Sequence, residues 1–300
     1  MGLMAAASVG LSLAFDALFE EFPGRIHPVS AFGRLAAPFD GAWTAPVVVG
    51  TFLAALLPLG AAAIAGGITM IAVGSDPRLG VVVASLALFS TTSLRMLLST
   101  VVGVVDESES DPSAARDAIV ALVGRDASEL SPGELRSAAL ESASENLADG
   151  LVAPLSAFAL GAQVSLPVAV GAAVWVKAVN TLDSMLGYRA KPVGRASARL
   201  DDAVMWLPAR LSAVLIACAG LSPGSLRRAR SWSTEPSSPN AGWPMATLSA
   251  VLGVQLSKRG QYALNAGAKL PTTGDARTGV RIVGTAGVLA FLLAGVFAWL

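Results

Sequence analysis

Residues 41–75 read GAWTAPVVVGTFLAALLPLGAAAIAGGITMIAVGS and contain no Asp, Glu, Lys or Arg. A helix crosses the hydrocarbon core of a bilayer with about 20 mostly apolar residues, so this run is long enough to span a membrane. Charge-free runs also occupy residues 150–176, 236–257 and 282–300, and shorter apolar segments occupy residues 79–94 and 211–226. The pattern predicts an integral membrane protein.

Composition indicates the same class. The chain of 300 residues is 54% hydrophobic and only 14% charged, whereas soluble proteins carry about 25% charged residues. A soluble helical protein would need amphipathic outer helices, which this sequence does not supply. The net charge is zero, so no overall basic field favours nucleic acid as a partner. The only cysteine is Cys218, which excludes an intrachain disulfide or a thiolate metal cluster.

We therefore expect an all-α fold, a polytopic integral membrane helical bundle with roughly four to seven spanning or re-entrant segments. Residues 1–300 are expected to form a single membrane-embedded domain. Within it, we expect a polar helical insertion at about 106–149, forming an extramembrane helical hairpin, and a basic polar segment at about 177–210.

Prolines leave the form of three apolar runs open. With Pro58 inside it, the run 41–75 could be a tilted helix plus a loop. Pro154 and Pro167 allow the run 150–176 to be one kinked span or a re-entrant pair. The run 236–257 is expected to be re-entrant or interfacial, because its beginning is broken by Pro239, Gly242 and Pro244.

The polar segments differ in the sign of their charge. Residues 106–149 hold eleven acidic residues against three arginines, and residues 177–230 hold nine basic residues against three aspartates. A sequence divided in this way could fold so that the two segments face one another. Asp111-Pro112 and Ser131-Pro132-Gly133-Glu134 predict two helix starts, since a polar cap before a first-turn proline is typical of an N-terminus.

The strongest candidate for chemistry is the stretch ESASENLADG at 141–150. On a helix Glu141, Glu145 and Asp149 share one face, because they recur every four residues. Three like charges on one face need compensation, which a divalent cation or arginines from the basic segment would provide. A solvated helix face is the alternative, but a carboxylate at the edge of a membrane run is costly unless it is used.

A second polar pattern, KAVNTLDSMLGY at 177–188, follows an apolar run without a break. Asp183 lies among residues with helical spacing, which are Lys177, Asn180, Thr181 and Ser184. Hydrogen bonding between membrane helices explains such a stripe as well as a functional site does.

A third pattern, RASARLDD at 195–202, is followed by Arg210. The arginines of this stretch suit a phosphate and its paired aspartates suit a metal ion, although interfacial salt bridges would use the same residues. His27 and Asn240 are weaker candidates. No phosphate-binding loop, His-Glu-x-x-His or Gly-x-Ser-x-Gly motif occurs, so a nucleotide would have to be bound in another way.

Together these motifs resemble the adenosylcobinamide-phosphate synthase family of cobalamin biosynthesis, the CobD/CbiB proteins. The resemblance follows the family's order and approximate spacing over most of residues 16–262. It is carried by Ile26-His27-Pro28-Val29, Glu141-Ser142-x-x-Glu145-Asn146-x-x-Asp149-Gly150, Lys177-Ala178-x-Asn180-Thr181-Leu182-Asp183-Ser184, Ala198-Arg199-x-Asp201-Asp202, Pro208-Ala209-Arg210-Leu211 and Ser238-Pro239-Asn240-Ala241-Gly242.

The resemblance implies a multi-pass enzyme of the cytoplasmic membrane. Such an enzyme joins aminopropanol, as its phosphate, to a propionate carboxylate of adenosylcobyric acid by ATP-dependent amide ligation. ATP and a divalent cation such as Mg are implied, with the corrinoid as substrate rather than cofactor. The implied partners are the two small-molecule substrates, the lipid bilayer and other membrane enzymes of the late cobalamin pathway, with no nucleic acid.

Residue roles follow from the same resemblance. We expect the catalytic residues to be Glu141, Glu145, Asn146, Asp149, Asn180 and Asp183. Substrate binding is expected at His27, Lys177, Ser184, Tyr188, Arg195, Arg199, Arg210 and Asn240, and metal binding at Asp201 and Asp202. The alternative class is a membrane transporter or sensor whose intramembrane carboxylates relay protons or bind an ion.

Overall fold

In the computed structural model, which describes residues 1–123, 127–187 and 191–300, the chain is almost entirely helical. The α-helices are α1 (Gly2–Phe19), α2 (Pro28–Ala36), α3 (Pro46–Ser75), α4 (Pro77–Thr91), α5 (Leu94–Ser110), α6 (Pro112–Val123), α7 (Pro132–Leu147), α8 (Ala153–Ala162), α9 (Leu166–Leu186), α10 (Arg195–Val204), α11 (Trp206–Ala219), α12 (Gly224–Ala229), α13 (Gly242–Leu252) and α14 (Thr273–Trp299). Shorter elements are 3-10 turns at Ala37–Phe39 and Pro192–Gly194, a π-helical turn at Ala148–Val152, and a hairpin of β1 (Leu256–Lys258) and β2 (Tyr262–Leu264).

Several of these helices are long and apolar enough to cross a membrane. Within the described residues there are four, and a fifth is possible if α10 and α11 count as one broken span. The four are Gly2–Phe19, Pro46–Ser75, the combined stretch Pro77–Ser110, and Thr273–Trp299. The prediction of an all-α membrane fold is confirmed, with the short β1–β2 hairpin as an addition.

The three runs interrupted by proline take different forms. Helix α3 continues through Pro58 for 30 residues, so the run 41–75 forms one long helix. The run 150–176 divides into two helices, because Pro154 and Pro167 each lie in a first turn, where proline is tolerated. Helix α13 has only 11 residues, about half the length that a span requires.

The chain divides into two compact units, each built from separated segments. Unit 1 comprises Met1–Ser93, Asp149–Met205 and Ala290–Leu300, and unit 2 comprises Leu94–Ala148 and Trp206–Leu289. The expectation of a single domain stays a prediction.

Unit 1 is organised around the packing of α9 against α3. Its core joins α2, α3, α9 and the 3-10 turn before α10 through the buried residues Ala36, Leu53, Ala54, Leu182, Leu186 and Val193. At one point α3 touches the backbone of that turn, since a Cβ on Gly50 would lie 1.9 Å from the Val193 carbonyl oxygen. Only glycine leaves room for this close approach.

In unit 2, helix α7 is enclosed by protein along most of its length. Residues 135–144 are buried without interruption, although they include Arg136 and Glu141. Most of the others are alanine or serine, which allow neighbouring helices to approach closely. The polar insertion predicted at about 106–149 therefore contains a buried helix, and its charged groups need partners inside the protein.

Arg136 obtains its partners from two segments of unit 2, helix α5 and the stretch that leads into α14. Its Nε donates to the Pro271 carbonyl at 2.7 Å, and its Nη1 lies 3.0 Å from both the Ser108 hydroxyl and a Glu109 carboxylate oxygen. Nη1 also contacts the Thr273 hydroxyl at 3.4 Å. A buried guanidinium that is satisfied in this way ties α7 to α5 and to the beginning of α14.

Gly50→Ala tests the close contact in unit 1. The added methyl overlaps the Val193 carbonyl, so backbone must shift at a cost of about 1–3 kcal/mol. We expect a lower melting temperature for the detergent-purified protein. Gly60→Ala is the matched control, because it lies in the same helix and an added Cβ there would meet no atom within 4 Å, and alanine favours the helix there by up to about 1 kcal/mol. Equal melting temperatures for the two variants would contradict the assigned contact.

Candidate functional site

Glu141 lies in α7 and is anchored by two hydroxyl groups. The Tyr262 hydroxyl donates to its Oε2 at 2.5 Å, and the Ser137 hydroxyl donates to its Oε1 at 2.8 Å. Ser137 is itself oriented, because its oxygen accepts the Ser257 backbone N–H at 2.8 Å. Only 5% of Glu141 is exposed. Two donors favour the ionised form of a buried carboxyl group, so Glu141 is built to carry charge.

The β1–β2 hairpin brings a second polar group to the same helix. Lys258 and Tyr262 are directly opposite one another in its register, and directly opposed residues project from the same face of a hairpin. The turn between them contains Gly260 with a φ of 70°, a left-handed conformation that favours glycine. Tyr262 reaches Glu141, and the charge of Lys258 acts on Glu145.

Glu145 has no hydrogen-bond donor among the residues that the structure describes, in contrast to Glu141 one turn earlier. Burial raises the pKa of the Glu145 carboxyl above its ordinary value, and the negative charge of Glu141 raises it further, while Lys258 acts in the opposite direction. Two carboxyl groups on one helix face therefore have different environments. Such differences are typical of pairs with separate chemical tasks.

The other end of α7 is held by an ion pair. Glu134 accepts hydrogen bonds from the guanidinium of Arg259, with Nη2 at 2.6 Å from Oε2, and from the Ser131 backbone N–H at 2.9 Å. The hydrogen bond from Arg259 is the largest of several effects that lower the pKa of Glu134 to about 2. The helix start predicted at Ser131-Pro132 is confirmed, and the acidic residue of that motif also fixes the turn of the hairpin.

Asp149 lies just beyond the end of α7. The α-helix ends at Leu147, and Asp149 lies in the π-helical turn that follows. Its expected position on one face with Glu141 and Glu145 stays a prediction. Its negative charge acts on Lys177 within unit 1.

Arg210 and Asn240 contact each other in unit 2. Arg210 Nη1 donates to the Asn240 side-chain oxygen at 2.7 Å, and the guanidinium lies over the rings of Trp206 and Trp243, 4.5 and 5.3 Å from their centroids. Such contacts orient a cation without neutralising its charge. Asn146 bonds within α7, since its amide donates to the Ser142 carbonyl at 3.0 Å.

In unit 1, α9 and α10 bring several predicted residues together. The Asn180 amide donates to Asp201 Oδ1 at 3.3 Å, and Asp202 exerts a like-charge effect on Asp183. Asp183 Oδ1 is buried and has no hydrogen-bond partner in the described part of the chain. An unsatisfied buried oxygen is costly to keep, which makes Asp183 a candidate for contact with a ligand. Ser184 is exposed and donates to the Asn180 carbonyl at 3.0 Å.

Arg195 and Arg199 lie one turn apart on the exposed side of α10. This spacing would allow both guanidinium groups to reach one phosphate. Among the described residues, no group of three or more His, Cys, Asp or Glu side chains is arranged to hold a metal ion. Metal binding by Asp201 and Asp202 therefore stays a prediction.

Lys177 lines a cavity of about 530 Å³ in unit 1. Helices α2, α3, α4 and α9 supply mostly apolar walls, with Ser90, Thr91 and Thr181 as the other polar lining residues. The carboxylates of Asp149 and Glu21 act on the Lys177 ammonium group. The volume of the cavity lies in the range of small-molecule pockets, and its one charged lining residue gives it a polar end.

His27 has a structural task at the start of α2. Its Nδ1 accepts the Val29 backbone N–H at 3.1 Å, so the neutral ring carries its hydrogen on Nε2, which lies 3.2 Å from a Glu21 carboxylate oxygen. His27 is 5% exposed. Its predicted role in substrate binding stays a prediction, and the predicted contact at Tyr188 lies outside the described residues.

The predicted residues thus form local groups within each unit. Unit 1 joins Asn180 with Asp201, Asp183 with Asp202, and Lys177 with Asp149, and unit 2 joins Arg210 with Asn240 and Glu141 with Glu145. Sequence reasoning missed Tyr262, Ser137 and Glu21. Tyr262 could have been noticed, because the chain has only two tyrosines and a buried phenol needs a hydrogen-bond partner.

The Glu134–Arg259 pair should make the stability of unit 2 dependent on pH. Glu134 has a lowered pKa, so its contribution is complete above its ordinary value of 4.5 and is lost as the pH falls toward about 2. At pH 7 the melting temperature of wild type should be slightly higher than that of Arg259→Gln, because an exposed ion pair stabilises a protein only a little. The difference between the two melting temperatures should become smaller below pH 4.5. Thermal unfolding of the detergent-purified proteins at a series of pH values measures it. A difference that stays constant down to pH 3 would contradict the assignment.

Comparisons with known proteins cover nearly the whole chain. The CobD/Cbib protein family model matches residues 9–288. A probable cobalamin biosynthesis protein CobD from Methanothrix thermoacetophila is 32% identical over 94% of this chain and 93% of its own length. Its counterpart from Pyrococcus abyssi is 36% identical, over 85% of this chain and 83% of its own. The cobalamin biosynthesis protein CobD of Klebsiella pneumoniae is 35% identical, over 79% and 78% respectively. No solved structure matches the chain. The match of the family model and the similarity of these full-length relatives show that the chain belongs to the CobD/Cbib family.

Proposed function

We propose that this protein is a membrane-bound ligase of cobalamin biosynthesis. The proposed reaction joins aminopropanol, as its phosphate, to a propionate carboxylate of adenosylcobyric acid, with ATP as the source of energy. The observation that carries the proposal is the family match over residues 9–288, which includes every candidate site residue of both units. A role in cobalamin biosynthesis is supported by the names of the relatives. They do not favour a transporter or sensor.

The chemistry sets two requirements for the protein. A carboxylate and an amine do not condense unaided in water, so the propionate must be activated, for which we propose phosphoryl transfer from ATP to give an acyl phosphate. The amine must then lose a proton before its nitrogen can attack. The protein therefore has to handle several phosphate charges and one proton.

Each unit has its own candidate for handling the amine. In unit 2, the Glu145 carboxylate lacks a hydrogen-bond donor among the described residues. In unit 1, Asp183 has an Oδ1 with no hydrogen-bond partner in the described part of the chain. Asp149 would act with Lys177 beside the cavity. We assign the orientation of substrate groups to Asn146, Asn180 and Ser184.

Cationic side chains fit the handling of phosphate. Arg195 and Arg199 would bind one phosphate from α10, and Lys177 would place a positive charge at the end of the apolar cavity. Arg210 is held in place by Asn240 and two indole rings, so its guanidinium is oriented before any ligand arrives. Preorganised charge stabilises a transition state without the cost of reorganisation.

A magnesium ion would accompany ATP, and the residues of α10 fit such an ion. Magnesium is usually held by one or two carboxylates together with phosphate oxygens and water. Asp201 and Asp202 are the proposed ligands, and the unpartnered Oδ1 of Asp183, on which Asp202 acts, offers a further oxygen. When bound, the ion would neutralise phosphate charge. Removing it with excess EDTA should abolish ligation and added Mg²⁺ should restore it, whereas full activity in EDTA would exclude this site.

The proposed location is the cytoplasmic membrane, with several passes through the bilayer. Four or five apolar helices fit a membrane protein. The proposed partners are the two small-molecule substrates, the lipids around the apolar helices, and other membrane enzymes of the late pathway.

The decisive experiment is an assay with purified protein in detergent or nanodiscs. Adenosylcobyric acid and ATP are supplied with aminopropanol phosphate, and in a parallel reaction with free aminopropanol, and the amide product is detected by chromatography and mass. We expect product with the phosphorylated amine. No product with either amine would overturn the proposal and leave a transporter or sensor as the next candidate.

Asp183→Asn tests the role of the unpartnered carboxylate. The substitution keeps the size of the side chain but removes its charge, so we expect ligation to fall by at least about 100-fold. Membrane insertion and the melting temperature should change little, because Asp183 Oδ1 makes no hydrogen bond to any described residue that would be lost. Asp117→Asn, at an exposed position of α6, is the control and should retain activity. Wild-type turnover by Asp183→Asn would remove this residue from the mechanism.

A further inference from the structure

The contrast between Glu141 and Glu145 suggests a division of tasks that neither residue type nor spacing reveals. Both carboxylates lie in α7, one turn apart; Glu141 contacts Tyr262 of the hairpin, and the charge of Lys258 acts on Glu145. Glu141 is held at both oxygens by hydroxyl donors, whereas Glu145 has no donor among the described residues. A fully hydrogen-bonded carboxylate cannot easily receive a proton, since protonation breaks one of its bonds.

We infer that Tyr262 and Ser137 are positioning residues that hold Glu141 as a fixed charge, so that Glu145 is the carboxylate that accepts the proton of the amine substrate. This inference rests on the proposed ligation. The inference adds Ser137 and Tyr262 to the site, and through Tyr262 it gives the β1–β2 hairpin a function. The pattern is that of a paired carboxylate site in which the environment separates the two proton affinities.

The proton step balances in the following way. The substrate ammonium gives one proton to the Glu145 carboxylate, and the free amine nitrogen forms a bond to the carbonyl carbon of the acyl phosphate. The C–O bond to phosphate then breaks, and the phosphate leaves with the electron pair and takes the second proton of the nitrogen. Glu145 later returns its proton to water, so the enzyme is unchanged.

The charged neighbours of α7 are consistent with this assignment. Glu141 on the same helix favours the protonated form of Glu145, and Lys258 on β1 favours the charged form. Helix α13, which also packs against α7, contains no charged residue. Four charged groups near α7 have partners of their own: Arg136 pairs with Glu109, Arg277 with Asp106, Arg116 with the Leu130 carbonyl, and Arg210 with Asn240. The other charged groups of α5 and α6 are Arg95 and Asp117, which are exposed, and Glu107, which is half-buried.

The positioning role makes a specific prediction for the pH profile. If Glu145 must be ionised, kcat/KM should rise with pH along an acid limb that reports its titration. Glu141→Gln removes the neighbouring charge and should move this limb to lower pH. Tyr262→Phe removes one donor, so Glu141 shares the first proton with Glu145, and the limb should move in the same direction by a smaller amount.

The experiment measures pH profiles of ligation for wild type and four variants in nanodiscs. Glu145→Gln should lose at least about 100-fold in kcat/KM at neutral pH. Ser144→Ala is the matched control, because it removes a buried hydroxyl of α7 whose hydrogen bonds within the described residues go to the helix carbonyls of Leu140 and Glu141. Its acid limb should coincide with that of wild type. Wild-type activity in Glu145→Gln, or an unmoved acid limb in both Glu141→Gln and Tyr262→Phe, would overturn the inference.

A second measurement separates this inference from the proposed reaction. Infrared spectra of the purified protein report protonated carboxyl groups without any substrate. On acidification, a band should appear in wild type that is missing in Glu145→Gln and appears at lower pH in Glu141→Gln. These spectra test the coupled carboxylates even if ligation is never observed. Identical titration of the band in wild type and Glu141→Gln would refute the coupling.

Discussion

The burial of α7 is the constraint on which the arrangement of unit 2 depends. Ten consecutive residues of this helix are buried, and among them are a guanidinium and a carboxylate. Burying a charge without partners costs far more than a folded protein can spare. Every segment that supplies a partner is therefore fixed in place: α5 and the beginning of α14 by Arg136, and the hairpin by Glu141.

Much of the fold could be read from the sequence because long apolar runs have few alternatives. The 30-residue helix α3, and the helix starts at Asp111-Pro112 and Ser131-Pro132, follow from hydropathy and capping rules that depend on neighbouring residues alone. The sequence does not decide whether the run 150–176 divides into α8 and α9, since proline is compatible with a kink and with a new helix start.

The candidate site was less predictable, because it depends on contacts between distant residues. Local spacing predicts that Glu141, Glu145 and Asp149 share one face of an α-helix, but a π-helical turn follows Leu147, and no rule of composition indicates that turn. The sequence predicts a cation or arginines as the groups that balance the negative charge of Glu141, because charge can be inferred from the sequence but hydroxyl contacts between distant residues cannot. Glu141 is instead stabilised by hydroxyl groups, and one of them belongs to Tyr262, which lies 121 residues away in the sequence. Local rules cannot predict that contact.

The hairpin register has a consequence for how this part of the chain can vary. Lys258 and Tyr262 act on α7 together because three residues separate them and place both on one face. Insertion of a single residue in this turn would shift one strand relative to the other and turn one of the two side chains away. Surface turns normally tolerate insertions and deletions, so their length often differs between relatives. The length of this turn is instead constrained, because it determines whether Lys258 and Tyr262 both reach α7.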